Sequence, residues 1–79
     1  MVEELFEKKV IGIKQSLKAI QNDKGKTLYV AIDANRSLIR PVVEMAKIKN
    51  INIVYIDTMK KLGLMCNIDV KAAVALILN

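Results

Sequence analysis

The stretch Gly12-Ile13-Lys14-Gln15-Ser16-Leu17-Lys18 sets two ammonium groups and a side-chain amide at the start of a segment with helical spacing. A helix start carries free N–H groups and a partial positive charge. Gly12, with no side chain, lets another backbone come close. Lys14 and Lys18 stand one turn apart, and Gln15 lies beside Lys14. Such an arrangement can hold a phosphate, and the Gln15 amide can address the edge of a base. On their own, these residues more often form an ordinary solvated Lys/Gln face.

Three other places could do chemistry. Leu62-Gly63-Leu64-Met65-Cys66-Asn67-Ile68 sets large apolar residues around a glycine and a polar pair. If exposed, it offers a surface on which an unstacked base can rest. If buried, Leu62, Met65 and Ile68 are core and Gly63 serves packing, the commoner outcome. Asp33 and Asp57 each follow an apolar run, where a parallel sheet presents its ligands. Two carboxylates there suit Mg²⁺ or a phosphoryl group, but they suit turns and helix caps better. Cys66 has no histidine base and reads as a small apolar packing residue.

Much chemistry is excluded outright. The chain of 79 residues has no histidine and one cysteine. That removes Ser-His-Asp and Cys-His catalysis, Cys/His zinc sites and an intrachain disulfide. No catalytic residue, metal ligand or cofactor is expected. The segments Asp33–Ser37 and Asp57–Met59 lack the glycines of a phosphate-cradling loop. No apolar run is long enough to span a bilayer, and MVEELFEKK does not read as a signal peptide. Thirteen Lys/Arg against eight Asp/Glu give a net charge of +5, which favours a polyanionic partner.

The elements that must position these groups follow from periodicity. Val2, Leu5, Phe6 and Val10 suit a short amphipathic helix over Val2–Lys9, with Val10 and Ile11 briefly extended before Gly12. Ile13, Leu17 and Ile20 share a helical face, giving a helix from Ile13 to Asn22 that ends in the turn Asp23-Lys24-Gly25-Lys26. Thr27–Ile32 and Ile51–Ile56 read as strands covered on both faces. Between them lies a helix with the stripe Leu38, Val42, Met45 and Ala46, with Ser37 as N-cap or Pro41 near its first turn, closed by Asn50. Strand, helix, strand in that order makes a βαβ unit. Asp57 or Thr58 caps a short helix over Met59–Leu64. Ala72–Leu78 is apolar enough for either a helix or a central strand, and strand is the reading adopted. The sum is one domain, residues 1–79, built as a three-layer α/β/α sandwich around a small mixed sheet.

In order, these segments resemble the archaeal-type ribosomal protein family L-seven-Ae, whose members bind RNA kink-turns. Gly12 through Ile20 is similar to the family's Gly-x-Asn-Glu-x-x-Lys-Ala helix start. Val30-Ala31-Ile32-Asp33-Ala34 is similar to its strand ending in Ala-x-Asp-Ala. Ile53-Val54-Tyr55 following Lys49-Asn50-Ile51, and Leu62-Gly63 through Cys66 and Ile68, complete the set. The short length and the Lys-Gln pair look most like compact bacterial members.

The resemblance implies non-catalytic binding of structured RNA, as a cytoplasmic, monomeric ribosomal or ribosome-associated protein. It assigns base-edge contacts at tandem G·A pairs to Lys14 and Gln15, phosphate contact to Lys18, and close backbone approach to Gly12. Leu64, Met65 and Cys66 are expected to face an extruded base. Lys14 stands where the family usually has Asn, and Gln15 where it has Glu, keeping a carbonyl acceptor. Two other classes fit the residues less well. One is a metal-binding or phosphoryl-accepting regulatory domain on Asp33 and Asp57. The other is a protein-interaction module within a ribonucleoprotein, using Leu62–Ile68.

Overall fold

A computed structural model describes residues 4–79. The order of elements is β1 (Lys9–Ile11), α1 (Ile13–Gln21), β2 (Thr27–Ala31), α2 (Arg36–Ile48), β3 (Asn52–Ile56), α3 (Met59–Met65) and β4 (Val74–Ile77). The strands form one sheet in the order β1-β4-β2-β3. β2 and β3 pair in parallel, Thr27 opposite Asn52 through Ala31 opposite Ile56. β4 runs antiparallel to both β1 and β2. Helices α1 and α2 pack side by side, while α3 packs on β2, β3 and β4. The fold is the expected α/β sandwich with a mixed sheet.

Hydrophobicity places the strands. β4 is apolar at every position because it is covered on both faces: Val74, Ala75 and Leu76 have no exposed surface. Each of its Val, Leu and Ile side chains contributes about 1.5–3 kcal/mol by leaving water. Ala72–Leu78 therefore resolves as a strand, over Val74–Ile77. β3 does not match the expectation of a doubly covered strand. It pairs only with β2 and lies at the sheet edge, where Asn52 and Tyr55 are exposed. Its apolar run reflects one packed face and an open flank.

The N-terminal segment also departs from expectation. Residues 4–8 form no helix, and Val2 and Glu3 lie outside the described residues. Leu5 is buried, and its N–H donates to the Met65 carbonyl at 2.7 Å. Lys9 Nζ in turn donates to the Leu5 carbonyl at 2.7 Å. Local spacing allowed a helix, but Leu5 is satisfied by long-range partners.

The three helices of the described residues stop in the same way. Asp23, Asn50 and Asn67 each adopt a left-handed conformation, φ 60, 58 and 59°. Paired hydrogen bonds then close each last turn: Lys24 to Ala19 and Asp23 to Ile20, Ile51 to Ala46 and Asn50 to Lys47, Ile68 to Gly63 and Asn67 to Leu64. These are Schellman motifs, and Asn and Asp are the side chains that best tolerate the backbone they need. At the start of α2 the cap is Asn35, not Ser37: its side-chain oxygen accepts from the Ser37 N–H at 2.9 Å. Pro41 lies inside α2 on its exposed side and cannot donate the helical bond to the Ser37 carbonyl.

Candidate functional site

Helix starts normally have their orphan N–H groups satisfied. At α3, Thr58 Oγ1 accepts from Lys61 N–H at 3.0 Å, and Asp33 Oδ1 accepts from Met59 N–H at 2.8 Å. At α2, Asn35 does the same work. α1 differs. Its N-cap is Gly12, with no side-chain cap. The first intrahelical bond is Ser16 N–H to Gly12 O, at 3.0 Å. The N–H groups of Ile13, Lys14 and Gln15 precede it and project from the helix end.

The backbone explains why glycine stands there. Gly12 has φ 104° and ψ 156°, a region closed to residues with a side chain. A Cβ placed on Gly12 would meet nothing within 4 Å. The glycine therefore meets a conformational demand and faces open space. Lys14, Gln15 and Lys18 are all exposed. Among the described residues, neither Lys14 nor Lys18 forms an ion pair; the pair observed joins Lys49 to Asp23. Below them, Ser16 is fully buried and its Oγ has no hydrogen-bond partner among the described residues.

The second patch surrounds the end of α3. Leu64 is 52% exposed, while Met65 and Cys66 are buried. Met65 and Cys66 thus belong to the core, and the expectation that they face a ligand directly does not match their burial. Burial pushes the Cys66 thiol up from its ordinary pKa, an effect only partly offset by the Lys9 ammonium. Val70, 68% exposed, adds apolar surface that sequence reasoning had not singled out.

Gly63 explains how this rim is held. A Cβ there would come within 2.2 Å of the Val70 carbonyl oxygen, so the chain crosses α3 at a distance only glycine permits. Ala72 N–H then bonds the Met59 carbonyl, and Gly12 N–H bonds the Val74 carbonyl, both at 3.0 Å. The start of α1 and the α3 rim therefore border one segment, residues 70–74.

Asp33 and Asp57 do not form a comparable site. Asp33 is committed to the start of α3. Among the described residues, no cluster of three His, Cys, Asp or Glu side chains suits a metal ion. No described helix is long and apolar enough to cross a membrane.

Comparison with known proteins shows what the chain is similar to. An RNA-binding protein of Caldanaerobacter subterraneus subsp. tengcongensis is 49% identical over 75 residues, covering 95% of this chain and 92% of that protein. RNA-binding protein YbxF of Geobacillus stearothermophilus is 39% identical over 70 residues, covering 89% and 85%. Among solved structures, a Giardia lamblia 15.5kD RNA binding protein superposes with a TM-score of 0.76 at 27% identity over 90% of this chain; the match spans 60% of that longer chain. A Bacillus halodurans protein of unknown function shares the fold, with a TM-score of 0.80 at 17% identity, covering 90% of this chain and 71% of that one. A family model matches residues 7–79, and the chain belongs to the ribosomal protein L7Ae/L30e/S12e/Gadd45 family.

Proposed function

We propose that the chain binds structured RNA without catalysis, using the sheet edge that carries the start of α1 and the rim at Leu64, and that its target is the kink-turn. The observation that carries this reading is the uncapped α1 terminus, with open space at Gly12 and, beside it, Lys14 and Lys18, which form no ion pair among the described residues. A terminus of this kind attracts phosphate. The net charge of +5 acts in the same direction. Family membership and the RNA-binding names of the relatives support RNA as the ligand.

In this reading each residue has a role. The Gly12 backbone meets the RNA closely. Lys14 and Gln15 address base edges at sheared G·A pairs, and Lys18 contacts a phosphate. Leu64, with Val70 beside it, covers an extruded base. Met65 and Cys66 support Leu64 from the core rather than touching RNA. The protein stabilises the bent RNA by binding that form better than the extended one. It acts as a monomer in the cytoplasm, on ribosomal or other structured RNA.

A mobility-shift titration with a kink-turn RNA and a G·A-disrupted control tests the reading. Preference for the intact kink-turn is the expected result. Lys18→Ala should weaken binding and lower the salt slope by about one, whereas replacing Gln15 should erode the preference itself. Equal affinity for the kink-turn and a plain duplex would overturn the proposal.

A further inference from the structure

On the flank of α2 away from α1 lies a groove of about 630 Å³ between that helix, the end of β2 and the edge strand β3. One wall carries Arg36, Arg40 and Lys47, and the other carries Tyr55. Arg36, Arg40, Val43 and Lys47 recur at i, i+4, i+7 and i+11, so they form one row along α2. The row spans roughly 16 Å from Arg36 to Lys47. Its three cations are exposed, and among the described residues none forms an ion pair. Glu44 is the one acid on the lining. Ile32 and Tyr55, 54% and 53% exposed, complete an apolar and aromatic floor.

We propose that this groove is a second RNA site, for an unpaired strand. A cationic wall that tracks a backbone, facing an aromatic ring on which bases stack, is how single strands are held without sequence preference. Arg36, Arg40 and Lys47 take successive phosphates, and a base lies on Tyr55. Arg40 adds a planar guanidinium, a further stacking surface. An acidic peptide fits less well. Adding to the open edge of β3, it would lie in the plane of the sheet and away from the cations on the helix. Lying in the groove, its carboxylates would leave Tyr55 and Ile32 uncovered. β1 and β2 both run antiparallel to β4, so α1 and α2 start at the same end of the sheet, and Arg36 is the cation of the row at that end. The inference shares with the proposed function only the nature of the ligand.

The test is fluorescence anisotropy of a labelled oligouridylate of about eight nucleotides with the full chain at low salt. Saturable, salt-sensitive binding with quenching of tyrosine emission is expected. The double variant Arg40→Ala, Lys47→Ala should weaken it at least tenfold and lower the salt slope by about 1.4, the single-strand value for two phosphate contacts. Tyr55→Leu should cost about fivefold or more and abolish the quenching. Circular dichroism checks that both variants fold. Both should bind an isolated kink-turn like the parent, and Lys18→Ala should bind oligouridylate like the parent, which separates this site from the first. Failure of oligouridylate to bind, or indifference to the double variant, would overturn the proposal. So would displacement of the oligonucleotide by oligoglutamate of equal charge at equal concentration.

Discussion

The Asp33 carboxylate, two residues beyond β2, accepts a hydrogen bond from the backbone N–H of Met59, the first residue of α3, at 2.8 Å. One side chain thus ties the β2–α2 loop to the helix that carries the Leu64 rim. Removing a helix-start acceptor of this kind costs about 1 kcal/mol. Asp33→Ala should lose that amount in urea unfolding, and Asp33→Asn, which keeps an acceptor, should lose less. Identical midpoints for the alanine variant and the parent would show that the bond contributes nothing.

Gly63 presents the tightest backbone crossing in the candidate site. A methyl group there would meet the Val70 carbonyl oxygen at 2.2 Å and the Lys71 Cα at 3.1 Å. Both are backbone atoms, so relief requires moving the α3–β4 connection. Gly63→Ala is expected to destabilise the fold by about 1–3 kcal/mol, the usual range for overpacking. It should also weaken kink-turn binding, because Leu64 and Val70 move with that connection. Parent-like stability on thermal unfolding would contradict the crossing described.

Ser16 offers the opposite case. Its hydroxyl is wholly buried in α1 and has no partner among the described residues. An unsatisfied buried polar group costs about 1–3 kcal/mol, and alanine is also the better helix former. Ser16→Ala should therefore raise the melting temperature. A lower melting temperature would mean that the hydroxyl finds a partner in solution.

Cys66 supplies a pH signature. Burial raises its thiol pKa above the ordinary 9.0, against a smaller lowering by Lys9. Below that pH the thiol is protonated in both folded and unfolded chains and contributes no pH dependence. Above it, the unfolded chain releases a proton that the folded chain keeps, so stability falls as pH rises. Urea midpoints taken between about pH 8 and 10.5 should decline more steeply for the parent than for Cys66→Val. Parallel curves would show that the thiol is not protected.

The parts legible in the sequence were those where one residue type serves one demand. The apolar run Ala72–Leu78 could only be a covered strand or helix, and the helix stops at Asp23 and Asn50 carried the residues that a left-handed turn favours, whereas the stop at Asn67 lies in a stretch that reads as loop. The lysines of α1 were visible from their spacing. What stayed hidden depended on neighbours far along the chain. Leu5 leaves helical geometry because Met65 receives its N–H. Met65 and Cys66 are buried beside the place where a distant segment crosses α3 at Gly63, a neighbour that local spacing does not reveal. The α2 groove needs Tyr55, 15 residues past Arg40, brought alongside by parallel pairing of β2 and β3. Its one sequence signal was the row of cations at helical spacing, which reads equally as a solvated face.

The central place of β4 has a consequence for how the molecule is made. β2, α2 and β3 pair locally and can form while the chain is still growing. β1 cannot, because the neighbour it needs, β4, is made after β2 and β3. The emerging polypeptide must hold a gap between β1 and β2 until Val74–Ile77 slides in, making closure of the sheet a late, long-range event. The carbonyl that anchors Gly12 belongs to that same strand, so the start of α1 is fixed only after β4 has joined the sheet.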